Sequence, residues 1–358
     1  MNELKVKYTC ENYSSTLLVN ITYEYIPTEE ALTLTVVVLI FLLTSLVGNI
    51  AAVVVVYRNR YLHDPSGILI GALAVSDIGV GFSSVISTII YDNPCSRLNH
   101  AVCVFLAFMS SSFIGSTYSA IAGITVDRCI AICKPLHYRQ YVTNTRIIQI
   151  LLFNWLCILA LAALPIMGLQ QYGIGKYEYV PYLTSCWIDI TAYSKNYLAI
   201  IVFYLPVFSI LILVMICYVI ILLKANSTFK RMAISGWIYN ENKQLLKKST
   251  RTTIIVVGVF FICTTPGLAL TFATLVNQGS VVSGKAYKYL LNWGIYVNIT
   301  VNPLLFGFSH KDFRHGYHEI CSHFYSKKSK ISDISLPIRP SVNPSILSGY
   351  NLVQNSTL

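Results

Sequence analysis

The chain has 358 residues, of which 55% are hydrophobic and only 11% charged, against about 25% charged in soluble proteins. A soluble globular fold is excluded. The net charge of +11 is spread through short segments between apolar runs, which argues against nucleic-acid binding and for loops beside a membrane.

Residues 1–30 lack a basic stretch followed by an apolar run, so no cleaved signal peptide is expected and the first span serves as its own insertion signal. Seven nearly uncharged runs then follow, at roughly 31–57, 66–91, 101–126, 147–169, 196–223, 252–277 and 289–309, each long enough to cross the ~30 Å hydrocarbon core as a helix. Seven crossings put the two ends on opposite sides. With the N-terminus outside, the outer segments hold seven of the 26 Lys and Arg and the inner ones hold the remaining nineteen, as short cytoplasmic loops require. The expected fold is an all-α membrane protein, a seven-transmembrane helix bundle. Residues 1–30 form an extracellular tail, 31–309 the bundle, 310–323 an amphipathic juxtamembrane helix and 324–358 a Ser-rich disordered cytoplasmic tail.

Asn12-Tyr13-Ser14 and Asn20-Ile21-Thr22 are glycosylation acceptors on the expected outside. Cys10, Cys95, Cys103 and Cys186 are expected outside, where disulfides persist, and these four allow three pairings. The other six cysteines fall in the membrane or cytosol and are expected as thiols.

Gly48-Asn49 in the first span pairs a small residue with a buried amide, the pattern of close helix contact. Asp77, in Leu73-Ala74-Val75-Ser76-Asp77, is the one acid well inside a span, so it must face the bundle interior and find partners there. The third span is uncharged from Ala101 to Val126 and closes on Asp127-Arg128-Cys129, where the acid can hold its neighbour. Pro165 stands near the outer end of the fourth span, Pro206 in the fifth and Pro266 in the sixth; the last two remove backbone bonds inside helices. After Asn302-Pro303, the segment from Lys311 places Phe313 and Tyr317 at helical spacing and is expected on the inner membrane surface. Cys321 closes it as a palmitoylation candidate.

These residues, in order on seven consecutive spans, resemble the rhodopsin-like (class A) G-protein-coupled receptors over nearly all of residues 31–325. The second inner loop and seventh span are similar to those of amine and melatonin receptors. The resemblance implies that Asp127 holds Arg128 at rest. As the sixth span swings about Pro266, Arg128 is released to a heterotrimeric G protein, into which Pro135 and Leu136 dock. Phe260, Thr264, Pro266, Asn302, Pro303 and Phe306 occupy the switch positions. It further implies a Cys103–Cys186 disulfide, leaving Cys10 and Cys95 as a second pair, arrestin binding through the tail, and an internal sodium ion held by Asp77 with Asn49, Thr117, Asn298 and Asn302. No other cofactor is implied.

The implied ligand pocket comprises Ser110, Ser111, Ile114, Trp187, Leu198, Val202, Gly267, Leu268, Thr271, Asn292 and Tyr296. Its lining is small and neutral, suiting an uncharged or amphipathic small molecule or a short peptide. Ser110 replaces the aspartate that pairs an amine, and Tyr296 replaces the lysine that holds retinal. Other departures are Cys129, Thr264 in place of the toggle tryptophan, Phe306 in place of tyrosine, Val214 in place of tyrosine, and Leu246-Lys247-Lys248 without an acid to lock Arg128. Altered basal activity is therefore expected, and a non-signalling decoy receptor is one alternative reading. A secondary transporter is another, but Asp77 stands alone and no internal repeat is evident. A channel would need charge rings or a filter loop. The seven histidines all fall in loops or the inner tail, so no paired catalytic groups face each other in the bilayer, and no enzyme is expected.

Overall fold

A computed structural model describes residues 28–91, 100–180, 185–189, 197–234, 241–276, 290, 293–309, 313–319 and 322. Cys10, Cys95, Asn12, Asn20, Asn292 and Cys321 lie outside the described residues. The chain separates into two units, residues 1–317 and 318–358. In the second, Ser322 Oγ donates to the Glu319 carbonyl at 2.9 Å.

The first unit is a seven-helix bundle of α1 (Thr28–Arg58), α2 (Pro65–Tyr91), α3 (His100–Cys133), α4 (Asn144–Ala163), α5 (Leu205–Ile234), α6 (Glu241–Val276) and α7 (Trp293–Ser309). The first six contain stretches long and apolar enough to cross a membrane. α7 packs against both α1 and α6 and closes the ring. Side chains such as Phe153 and Leu156 on α4 and Ile212 and Ile216 on α5 are exposed. In hydrocarbon these faces meet lipid, so outward apolar residues carry no penalty.

Helix ends follow local chemistry. α2 starts on Pro65, whose missing N–H is no loss in a first turn, and Asp64 Oδ1 accepts from the Gly67 amide at 2.8 Å. α3 runs past Val126 to Cys133 because Asp127 and Arg128 neutralise each other within it. α4 ends at Ala163, short of the expected 169, where Pro165 and the positive φ of Gly168 (76°) break it. The helical run that continues into α5 starts at Tyr197, close to the expected 196, with Tyr197–Ala199 α-helical. The five residues Ile200–Tyr204 form a π-turn immediately before Pro206, which accommodates the ring and the absent N–H without breaking the chain direction.

The connection after α4 holds an antiparallel hairpin, β1 (Lys176–Val180) and β2 (Ser185–Asp189), with Tyr179 opposite Cys186. Each strand is only five residues long, too short a signal to separate from loop by pattern.

Residues 313–319 are helical. Phe313 is fully buried, with its ring 6.0 Å from Phe306 and 6.2 Å from Tyr317. Gly316 faces Val55 so closely that a Cβ there would come within 2.6 Å.

Candidate functional site

At one end of the bundle, Asp127 is 3% exposed and collects four donors. Its Oδ2 accepts from Arg128 Nε at 3.0 Å, from Arg128 Nη2 at 2.7 Å and from Ser66 Oγ at 2.9 Å, while Oδ1 accepts from Tyr138 Oη at 2.6 Å. Arg128 Nη2 also donates to Ser66 Oγ. Three elements therefore meet at one carboxylate: the first turn of α2, the end of α3 and the turn after Pro135. Burial first, then the bond to Asp127 and its charge, push the Tyr138 phenol up to about 12, so it stays protonated and donates. Pro135 and Leu136 project from this network, and Leu136 is 91% exposed. The sequence singled out Asp127 and Arg128 as an acid-base pair, and the family resemblance implied Pro135 and Leu136. Both missed Ser66 and Tyr138, which reach Asp127 across sequence separations of 61 and 11.

Midway along the bundle, Asp77 is fully buried. Thr117 Oγ1 donates to its Oδ1 at 2.9 Å and Asn302 Nδ2 to its Oδ2 at 2.8 Å; Asn302 Nδ2 also reaches Asn298 Oδ1 at 3.4 Å. Asn49 is used differently. Pro303 has no N–H for the Ile299 carbonyl, and that carbonyl instead accepts from Asn49 Nδ2 at 3.0 Å and Ser45 Oγ at 3.2 Å. Gly48 permits the approach, since a Cβ there would lie 2.8 Å from Pro303 Cγ. Asn49 Oδ1 and Ser116 Oγ are buried without a partner among the described residues.

Between α2, α3, α6 and α7 lies a cavity, about 390 Å³ with the open space at its mouth included, walled by Val80, Ile114, Thr117, Tyr118, Thr264, Leu268 and Asn298 among others. Of the expected pocket residues, Ile114 and Leu268 stand in this wall. Ser110 is buried and its Oγ donates to Ser83 Oγ at 3.0 Å, tying α3 to α2. Ser111 is partly buried, and Trp187 packs beside the disulfide. Leu198 is exposed, and Val202 sits half-buried in the π-turn. Gly267 and Thr271 are joined by the Thr271 Oγ1 bond to the Gly267 carbonyl at 2.9 Å. Tyr296 packs on the Leu42, Val80 and Ile299 cluster.

Over the opposite end from Arg128, Cys103 and Cys186 form a disulfide with Cα atoms 5.3 Å apart. It pins the hairpin to α3, with Ala107, Tyr177 and Ile188 buried around it. Lys176 Nζ lies 2.5 Å from Glu178 Oε2. Burial, then a bond to Asp189, raises the Glu178 pKa above the usual carboxylate range, against the pull of Lys176.

The remaining departures have structural substitutes. Val214 is fully buried against Ala122 and Val257, the Phe306 ring lies 6.0 Å from that of Phe313 at a tilt of 36°, and Cys129 is a partly buried free thiol.

The profile described as 7 transmembrane receptor (rhodopsin family) matches residues 48–306. Similar proteins include the adenosine receptor A2b of Mus musculus, 23% identical over 298 residues covering 78% of this chain and 87% of that receptor. The histamine H2 receptor of Homo sapiens is 26% identical over 318 residues, 85% of this chain and 86% of that protein. The likeness thus spans the whole bundle and does not rest on one motif. With the disulfide-pinned α3, the acid-arginine pair at its other end and the polar cluster about Asp77 between them, this chain belongs to the rhodopsin family of seven-transmembrane receptors.

Proposed function

We propose that the protein is a plasma-membrane receptor, N-terminus outside and C-terminus in the cytoplasm, that binds an uncharged extracellular small molecule and activates a heterotrimeric G protein through Arg128. The observation that carries this reading is the Asp127–Arg128 pair at the end of α3, 2.7 Å apart with Arg128 only partly covered, beside the nearly fully exposed Leu136. The relatives are named for adenosine and histamine. The uncharged chemistry of the first suits a cavity lined by Thr117, Tyr118, Thr264 and Asn298 with no charged side chain; an ammonium would meet no carboxylate in that wall. The Ser-rich tail is a candidate arrestin site after phosphorylation.

Arg128→Ala tests the coupling role. With surface expression matched, recruitment of an engineered G-protein mimic falls by at least about tenfold, the loss of one charge-assisted contact. Recruitment at the wild-type level overturns the reading.

The Asp77 cluster suits a hard monovalent cation. Its ligand atoms would all be oxygen, the Asp77 carboxylate with the Thr117 hydroxyl bonded to it and the Asn298 amide oxygen that Asn302 links to it. Sodium bound here would supply charge compensation to Asp77 and nothing covalent. Replacing choline chloride with sodium chloride raises the melting temperature of the purified receptor by about 2–4 °C, the effect of roughly 1 kcal/mol of ligand linkage. Asp77→Asn removes that dependence; a wild-type melting point indifferent to sodium rules the site out.

A further inference from the structure

Between α3 and α4 the chain makes a 3-10 turn at Pro135–His137 and a single α-helical turn at Tyr138–Tyr141. Four residues do not hold such a turn alone, since fixing a first turn costs more chain entropy than one backbone bond offsets. Its start is tied to the bundle, where Tyr138 Oη donates to Asp127 Oδ1 at 2.6 Å. Its end leaves carbonyls with no amide of the turn to receive. The Val142 amide donates to the Tyr138 carbonyl at 2.9 Å. Two more carbonyls are taken by Arg146, whose Nη1 donates to Gln140 at 2.6 Å and to Tyr141 at 3.1 Å. Lys134 Nζ stands over the Tyr141 ring, 5.2 Å from its centroid, but leaves those carbonyls to Arg146.

Arg146 reaches back from a fixed place. It lies in the first turn of α4, which Thr143 caps by accepting from the Arg146 amide at 3.4 Å. Asn144 Nδ2 donates to the His63 carbonyl at 2.7 Å, so this turn is also tied to the first inner loop. A cation in the first turn of α4 faces the positive end of that helix's dipole, which disfavours it. Turned back onto the free carbonyls of the preceding turn, the same guanidinium meets negative ends. The arginine therefore serves the turn before its helix and not the helix that carries it.

We propose that Arg146 is a positioning residue for the second inner loop: by closing the Tyr138–Tyr141 turn it holds the exposed Leu136 in one place for a G protein. This rests on the reading that Leu136, 91% exposed, docks there. An apolar contact already fixed loses less conformational freedom on binding, so the clamp acts on affinity through Leu136.

The test uses the full-length receptor in lipid nanodiscs, with hydrogen–deuterium exchange over residues 135–143 and titration with an engineered G-protein mimic. Arg146 is exposed and Thr143 caps α4 without the Arg146 side chain, so Arg146→Ala is structurally mild. It speeds local exchange about threefold and weakens binding of the mimic about threefold, the effect of one cation on the carbonyl end of a short helix. In a Leu136→Ala background the same substitution speeds exchange but weakens binding no further, because both changes act on one contact. Both effects are the same with and without phosphatidylserine in the nanodisc. An effect that vanishes without the anionic lipid makes Arg146 a membrane anchor and overturns the proposal, as does a further loss of binding in the double variant. Faster local exchange with no mimic bound by any variant, wild type included, supports the clamp and refutes G-protein coupling. Wild-type binding with unchanged local exchange in Arg146→Ala retains coupling and overturns the clamp.

Discussion

Asp127→Ala lowers the melting temperature by roughly 6–12 °C and raises basal nucleotide exchange on a G protein. The carboxylate accepts from Arg128, Ser66 and Tyr138, and it is nearly inaccessible to water. Removing one member of a buried pair commonly costs about 3–5 kcal/mol. Here the Arg128 side chain is 21% exposed and water recovers part of its solvation, which brings the expected loss to about 3 kcal/mol, or about 2–4 °C per kcal/mol for a chain of this size. The freed guanidinium is the group expected to meet the G protein, so activity rises while stability falls. Asp127→Asn retains acceptor capacity for Tyr138 and Ser66 but not the charge, and falls between the two. If Asp127→Asn melts as low as Asp127→Ala, the ion pair itself is the main term; if basal exchange drops in both, Asp127 does not restrain Arg128.

Replacing Cys103 or Cys186 by Ser has the other large effect, at the opposite end of α3. The bridge closes a sequence separation of 83 residues, for which the chain-entropy account gives roughly 4 kcal/mol. Without it, the hairpin keeps its own ladder, the apolar contacts of Tyr177 and Ile188 and the Tyr177 Oη bond to the Ala162 carbonyl at 3.0 Å. The single and double substitutions are expected to reduce folded receptor at the cell surface to a similar small fraction, measured by surface labelling against total protein. A double variant that recovers wild-type surface levels shows that an unpaired thiol, not the lost bridge, caused the defect.

The seven helices, the membrane environment and the third helix with Cys103 and Arg128 at its ends were legible in the chain. Each rests on a property that accumulates along the sequence. Hydropathy sums over twenty residues, the distribution of Lys and Arg counts loop by loop, and proline and glycine act on their own backbone. The misplaced end of the fourth helix has the same local origin: the break at Pro165 and Gly168 moves a boundary by several residues without altering the run of apolar side chains.

The polar contacts of the candidate site were only half legible. Asp77 and Asp127 stood out because a buried acid is costly wherever it falls, but their partners come from other helices. Whether Asn49 serves Asp77 or the Ile299 carbonyl depends on the carbonyl left free by Pro303 on α7 and on how closely Gly48 lets α1 approach. Ser66 and Tyr138 converge on Asp127 through the rotation and height of neighbouring elements, which no period within one helix records. The sequence alone therefore determined that seven apolar helices cross a membrane and which acids and prolines they carry, because burial in lipid selects residue by residue. Only the tertiary structure decided which donor each buried acceptor receives, because a hydrogen bond is set by a distance of about 3 Å between helices and hydropathy carries no such distance.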